Sequence, residues 1–406
     1  MSAFDGLPAL KRLRVFDAVA REGSTAAGAR RLGVSQPAVT ASLNKLEQEL
    51  GIALLTRTRE GSALTPNGEA LFWRTSRFLG QVIEAVSQLT GASAHAAGLA
   101  RKIRETELAA LLAIWRTGGF RRAAMELGVT EPSLQRPARE LERLLGVSLY
   151  RRAGANLEAN TAGSQLAKRL SLALIEAWSG VEEAGAVTTH ARASLRVGVL
   201  ALTPRVFLAQ AMCRLLSAFP AYRIDVIEAS YTSLESALGS GAVDVVFGAL
   251  RGRSAPMEHV EQRLFEDPYV LACRAGHPLL SRQGGGGRRL SQFEFVFPTE
   301  GLPRRAALDL LLKKWNVSPK GRIDTSCLAT IVALLHASDR LTILTRWHVD
   351  SGGWSALRPL DNIEVSSERR FIGLTTRRSW SPTPFQRAFI NEITNSVAER
   401  MTLLGG

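Results

Sequence analysis

The sequence predicts a multidomain α/β chain: two tandem all-α winged helix-turn-helix units with linker helices, then a domain built on a doubly wound sheet. Three observations carry this. Ser24 to Gly51 reads as two helices across a Gly-containing turn. That pattern returns at an offset of 95 residues, Gly33 recurring as Gly128. From Ala193 the hydrophobic period changes to alternating strands and helices.

In the first stretch Ala26, Ala27 and Ala29 are small, Leu32-Gly33-Val34 breaks the pattern, and Ser35-Gln36-Pro37 opens a second helix. Ser35 is a good N-cap, and a Pro in the first turn loses only an orphan N–H. Val39, Leu43, Leu46 and Leu50 recur at i, i+4, i+7 and i+11, one apolar stripe. Gln36, Thr40, Ala41 and Asn44 occupy the opposite face, where a helix-turn-helix presents its second helix to the major groove. An earlier helix carries Leu10, Leu13, Phe16 and Val19 or Ala20 into the same core. Leu54 to Leu64 reads as a strand, turn and return strand, a wing whose Arg57 and Arg59 would lie beside the DNA backbone. Thr65 or Pro66 starts a long helix with Phe72, Leu79 and Val86, and the offset pair Val82 and Leu89, at seven-residue spacing, the mark of a helix-helix seam.

The Ser-Gln-Pro-Ala-Val opening, the Leu46-Glu47 pair and the Arg-bearing wing before Leu64-Thr65-Pro66 resemble the LysR-type transcriptional regulators. The resemblance covers nearly the whole chain. It implies that Ser35, Gln36, Pro37, Thr40, Ala41, Asn44, Arg57 and Arg59 contact DNA, and that the linker helix holds a dimer together. Gln can bond adenine at two points, and Thr offers a hydroxyl and a methyl to thymine.

Where that family would pass to its effector domain, this chain repeats itself. Gly91 to Gly98 looks like a connector. After Glu105, Leu13, Ala29, Leu32, Pro37, Leu46, Glu47, Leu50, Gly51, Leu54 and Gly68 recur as Leu108, Ala124, Leu127, Pro132, Leu141, Glu142, Leu145, Gly146, Leu149 and Gly163 in the same order, with Val34, Arg21 and Arg57 matched by Val129, Arg116 and Arg152. A second linker helix follows, with Leu166, Leu170, Leu174, Trp178 and Val181 on one side. The copies differ at the reading face: Glu131, Arg136 and Arg139 replace Gln36, Ala41 and Asn44. Pro137 falls inside the second recognition helix, where a Pro costs about 3 kcal/mol unless the helix kinks. The second copy therefore reads as structural or as a weak backbone binder, with Arg136 as the contrary sign. The expected division is 1–65 and 105–160 for the winged units, 66–92 and 161–186 for the linker helices, and 193–406 for the C-terminal domain.

Leu195 to Ala201, Tyr222 to Ala229 and Val243 to Leu250 read as strands, with helices after Pro204 and from Leu234 to Leu238. Tyr269 to Arg274, Phe293 to Pro298, Arg305 to Trp315, Arg322 to Thr325, Leu328 to His336 and Leu341 to Thr345 continue the series, and Phe371 to Thr376 with a final helix close it. FPAYRIDVIEAS, GAVDVVFGAL, LFEDPYVLACRAGHPL and IDTSCLATIVALL resemble the LysR substrate-binding domain. The resemblance implies two lobes like those of periplasmic binding proteins, crossed near Asp267 and Arg370. A ligand belongs at the carboxyl ends of such strands, in the crevice. The candidate effector residues are Thr203, Ser230, Thr232, Ser233, Gly248, Arg251, Thr325 and Ser326, with helix capping the competing role for each hydroxyl.

The 406 residues carry 51 Lys and Arg against 37 Asp and Glu, a formal +14, which favours a polyanionic partner. An enzyme is not expected: no GxGxxG follows the first strand, Gly284 to Gly287 lacks the GK[ST] of a phosphate loop, and the six His lack metal-ligand spacing. Cys213, Cys273 and Cys327 are an odd number at wide spacing and read as reduced thiols. Cys327 heads a helix, which leaves a redox-sensing regulator as one alternative beside a buried, inert thiol. A small-molecule-binding protein or enzyme with vestigial DNA-binding modules is the other. The expected partners are double-stranded DNA, a small anionic effector and further copies of the chain as homodimer or homotetramer, in the cytoplasm, with no cofactor, metal or membrane.

Overall fold

The computed structural model describes every residue except 1–3, 5, 59–60, 92, 155, 186–193, 281–286, 319–321, 351–356, 366–368 and 406. It divides into two compact units. One is Met1–Ser194 with Ala221–Arg223 and Gly239–Ala242, and the other is the remainder.

In the first unit α1 (Leu10–Glu22), α2 (Thr25–Leu32) and α3 (Gln36–Leu50) lead to a hairpin of β1 (Leu55–Thr58) and β2 (Gly61–Leu64), then α4 (Pro66–Thr90) and α5 (Ser93–Lys102). The order repeats as α6 (Glu105–Thr117), α7 (Phe120–Leu127), α8 (Glu131–Leu145), β3 (Tyr150–Ala153), β4 (Asn156–Ala159) and α9 (Thr161–Glu183). Val39, Leu43, Leu46 and Leu50 are all buried, as are Leu134, Ala138, Leu141 and Leu145 at the matching positions of α8. Gly33 and Gly128 end α2 and α7 in the left-handed region, at φ 67° and 66°.

The two copies share their fastenings. The Glu47 carboxylate accepts the N–H groups of Leu54 at 2.7 Å and Leu55 at 3.2 Å, and Glu142 accepts those of Leu149 and Tyr150 at the same distances. Each wing is thereby tied to its recognition helix. Thr65 and Asn160 cap the linker helices by accepting the N–H of Gly68 and of Gly163, both at 2.9 Å.

Four expectations change. Residues 91–98 are not a plain connector: α5 forms there, packed on α4, and its C-terminal carbonyls at Ala100 and Arg101 accept the Arg14 guanidinium at 3.0 and 2.9 Å. Ser35 holds the N-cap position of α3, but its side chain makes no capping bond. Pro137 does not end α8, which runs 15 residues like α3, and the carbonyl it deprives belongs to the exposed Ser133. The seam face of α4 is Leu71, Thr75, Phe78, Val82, Ala85 and Val86, with Phe72 and Leu79 only half-buried: the seven-residue spacing holds, but its row runs through Leu71, Phe78 and Ala85, one position before the expected one.

In the second unit β5 (Ser194–Val199), α10 (Arg205–Ala218), β6 (Arg223–Glu228), α11 (Tyr231–Ser240), β7 (Val245–Ala249) and β8 (His259–Glu266) build one lobe. The next lobe holds β9 (Tyr269–Arg274), β10 (Phe295–Phe297), α12 (Pro303–Lys314), β11 (Arg322–Asp324), α13 (Leu328–His336), β12 (Thr342–Thr345), α14 (Arg346–Asp350) and β13 (Leu357–Pro359). The chain then returns through β14 (Phe371–Arg377) and α15 (Pro384–Gly405). The first sheet has the order β6-β5-β7-β14-β8, with β5 and β7 parallel and β14 antiparallel to both neighbours. The second has the order β12-β9-β13, antiparallel, beside the parallel pair β10 and β11. The sheets are therefore mixed. The alternating, charge-rich HVEQRLFE of β8 marks an edge strand rather than a buried parallel one.

Candidate nucleic-acid interface and effector crevice

On α3 the stripe fixes which side faces outward. Ser35, Gln36, Pro37, Ala38, Ala41 and Asn44 are exposed and Thr40 is half-buried. Gln36 Nε2 donates to Thr25 Oγ1 of α2 at 3.3 Å, and Thr40 Oγ1 donates to the Gln36 carbonyl at 3.1 Å. The planar amide of Gln36 is thus oriented across the turn, while Thr40 keeps its methyl and an acceptor lone pair for a base edge. Arg57 lies on β1, and Arg59 lies outside the described residues.

On α8 the equivalent face carries Glu131, Ser133, Gln135, Arg136 and Arg139, all exposed. Arg136 leaves 85% of its side chain exposed while touching Glu140 at 3.2 Å. Arg139 donates to Glu142, the wing-holding carboxylate, at 2.6 Å. Ser133 and Gln135 were missed by the sequence reading. Gln135 stands at the position of Thr40 in the first copy, so the 95-residue offset could have found it. Arg151 and Arg152 are exposed on the second wing.

In the second unit the expected effector residues separate into groups. Ser230, Thr232 and Ser233 bond to one another at the start of α11, with Ser233 N–H donating to Ser230 Oγ at 3.3 Å. They act as a helix cap. Arg251 stacks over the neighbouring Tyr231 at 3.7 Å and, with Arg253, Arg263 and Arg369, lines a basic cavity of about 570 Å³. Gly248 sits within β7, not after it, and a Cβ there would meet Leu200 at 2.9 Å. Thr203 is buried and gives its hydroxyl to the Phe247 carbonyl at 3.2 Å, so it presents none to a ligand. Thr325 accepts the Cys327 N–H, and Ser326 bonds Thr299 at 2.7 Å.

A different cluster gathers where the lobes cross. Asp267 and Arg370 exchange bonds: the Asp267 N–H donates to the Arg370 carbonyl at 2.9 Å, and Arg370 Nη1 donates to Asp267 Oδ2 at 3.0 Å. Trp347 N–H donates to Asp267 Oδ1 at 2.9 Å, and its ring packs on Phe207 of α10 at 4.6 Å. Burial, with the charges of Arg370, Arg304 and Arg205, pushes His348 down to about 4. All three cations act on His348, Arg205 while half-exposed and paired with Glu228 at 2.7 Å. Arg304 Nη1 and Arg370 Nε are buried there with no hydrogen-bond partner among the described residues. Unmet donors on buried guanidinium groups are the complement of an anion. Arg205 and Arg304 also stand in the first turns of α10 and α12, where the helix dipole disfavours cations. That misplacement was the signal in the sequence.

The "LysR substrate binding domain" family matches residues 188–398, just over half of the chain. The "Bacterial regulatory helix-turn-helix protein, lysR family" matches twice, at 10–69 and 106–164. The chain belongs to the LysR family of transcriptional regulators. Among LysR-family relatives, the HTH-type transcriptional regulator GalR of Pseudomonas putida is 27% identical over 399 residues, 97% of this chain and 98% of that protein. A probable hydrogen peroxide-inducible genes activator of Streptomyces viridosporus is 28% identical over 226 residues, 55% of this chain and 72% of that one. A full-length OxyR variant from Pseudomonas aeruginosa, 21% identical, shares the fold at a TM-score of 0.52 over 72% of this chain and 93% of its own.

As a LysR-type regulator the protein pairs DNA-binding helical modules with an α/β effector domain. Members of the family bind DNA through the helix-turn-helix and a small effector through the substrate-binding domain. The expected buried Cys327 is instead exposed at the N-cap of α13, and hydrogen bonds from Thr330 hold its thiol below the ordinary range. Cys273 is the buried one, its thiol pushed up to about 12 by desolvation. No described helix is long and apolar enough to cross a membrane.

Proposed function

We propose that this LysR-type regulator acts in the cytoplasm, reading duplex DNA chiefly through Gln36, Thr40 and Asn44 of α3. Arg57 and Arg59 of the wing, with Arg136 and Arg139 of α8, add contacts. Residues 1–65 and 105–160 serve as the winged units, 66–92 and 161–186 as their linkers, and 193–406 as the effector domain. A small anion, a carboxylate being the simplest, binds between the lobes on Arg205, Arg304 and Arg370. The unpartnered donors of Arg304 and Arg370 carry that part of the reading. Ser326, whose carbonyl accepts Arg304 Nη2 at 3.5 Å, borders the site. A ligand there regulates through unequal affinity for two lobe arrangements.

Competition binding to the duplex flanking the protein's own gene tests the DNA roles. Gln36→Ala and Thr40→Ala should each lower discrimination between that duplex and random DNA, roughly ten-fold for a lost bidentate contact. Arg57→Ala should weaken both and flatten the salt dependence. Equal losses on random DNA for all three would sink the assignment.

A further inference from the structure

The linker helices pair with each other inside one chain. Arg74 of α4 is 5% exposed and donates to Glu176 of α9 at 2.7 Å and to Glu183 at 2.5 and 3.0 Å, while Arg77 reaches Glu176 at 3.1 Å. Gly180 of α9 lies so close to α4 that a Cβ would stand 2.7 Å from Arg74 Cβ. The first turns of α4 thus meet the last turns of α9, as antiparallel partners do. Leu71, Phe78 and Val82 on one helix, and Leu166, Leu170 and Leu174 on the other, enter a single core.

The charges specify this unlike pairing. At the 95-residue offset, Glu176 and Glu183 correspond to Gln81 and Gln88 of α4. A second copy of α4 in place of α9, in the same register, would put those amides opposite Arg74. A buried guanidinium would lose both carboxylates, which is strongly destabilising. Like pairs with like poorly when a buried charge is left without its counter-charge, and α4 with α4 is the case disfavoured here.

We propose that one chain is a complete two-headed DNA reader, joined through α4 and α9, and that its target is an asymmetric duplex with two unlike half-sites. The first half-site faces Gln36, Thr40 and Asn44. The second faces Ser133, Gln135 and Arg136, an Arg suited to guanine and a Gln to adenine. A two-fold dimer presents identical heads and matches a palindrome, whereas these heads differ in nearly every outward residue. Further oligomerisation then uses surfaces other than the α4 and α9 seam. The inference rests on the DNA-reading role proposed above, so its test has one arm without DNA.

In that arm the full chain carries Arg77→Lys, which keeps the ion pair and supplies an amine. Carbodiimide coupling should join Lys at 77 to Glu176 within a chain of monomer mass. A Lys–Glu176 link in a dimer-mass band, or none in a folded protein, overturns the intrachain pairing. In the DNA arm, base-modification interference maps the full chain on the duplex flanking its gene. Gln36→Ala with Thr40→Ala should erase interference in one half-site, and Gln135→Ala with Arg136→Ala in the other. Each pair should weaken binding about ten-fold or more. Loss at both halves of a palindrome from the α3 pair, with no effect of the α8 pair, overturns the two-headed reading. An intrachain link with no binding to any genomic duplex would instead refute the DNA-reading role itself.

Discussion

At the scale of single residues, the hardest constraints in the helical unit are Gly68 and Gly163. A Cβ at Gly68 would stand 2.0 Å from the Leu54 carbonyl oxygen, and one at Gly163 would stand 2.1 Å from that of Leu149. Both obstacles are backbone, which cannot swing aside. Gly68→Ala and Gly163→Ala should each cost about 3 kcal/mol, the upper range for overpacking, and thermal unfolding of the two variants would show it. Matching losses are expected because the two copies use the same approach. His348 makes the second prediction. Burial and three nearby cations favour its neutral form, so the unfolded chain takes up a proton that the folded chain resists. Stability should therefore fall as pH drops from about 6.5, the ordinary His value, towards about 4, by up to about 3 kcal/mol. His348→Asn should flatten that part of the curve, and an unchanged acid limb in the variant would remove His348 as its cause. The sequence made the glycines legible through the repeat. It concealed His348, whose shift comes first from burial and then from Arg370, Arg304 and Arg205, distant in sequence and brought near it only by the fold.

At the scale of elements, the ion pairs of α4 and α9 and the proline of α8 can be weighed. Arg74→Met leaves Glu176, 8% exposed, without its buried partner and should cost about 3 kcal/mol, whereas adding Glu176→Leu should return most of it. Denaturant unfolding of the full chain, followed at its helical transition, tests the pair. Comparable losses in both variants would show that packing, not charge, holds the seam. Pro137 offers the opposite sign. Its helix continues without the lost bond, so Pro137→Ala should stabilise by about 1–3 kcal/mol, and no gain would mean that α8 already relieves the strain. Helices and strands with strong periods were legible: Val39, Leu43, Leu46 and Leu50 face inward as read, and α13 spans Leu328–His336 as expected. The connector was not, because α5 is small, Gly-containing and stabilised from outside by Arg14. The seam register was missed by one position, since Leu71, Phe78 and Ala85 keep the seven-residue spacing and the equally apolar Phe72 and Leu79 beside them hide which row is buried.

At the scale of the whole molecule, the effector unit joins its lobes through two crossings, and those crossings hold the cations. The Arg370 guanidinium contacts Asp267, the Leu202 carbonyl at 3.4 Å and the face of Tyr269 at 5.2 Å, so one side chain touches segments from both lobes. Asp267 is itself raised above the ordinary carboxylate range by burial, which Arg370 only partly offsets. An anion that bonds Arg304 and Arg370 together would bridge the lobes and stabilise one of their arrangements. Ligand-linked stability follows: an anion at a hundred times its dissociation constant should add about 2.7 kcal/mol. Small mono- and dicarboxylates screened by thermal shift should therefore raise the transition of the wild-type chain. Arg304→Met should abolish the shift, while leaving the DNA affinity of the ligand-free protein unchanged. Arg251→Met, in the separate basic cavity beside Tyr231, should keep the shift. The reverse pattern, with Arg251→Met losing the response and Arg304→Met keeping it, would move the effector site from the crevice to that cavity. The loops after the strands would then regain the role that their sequence first suggested.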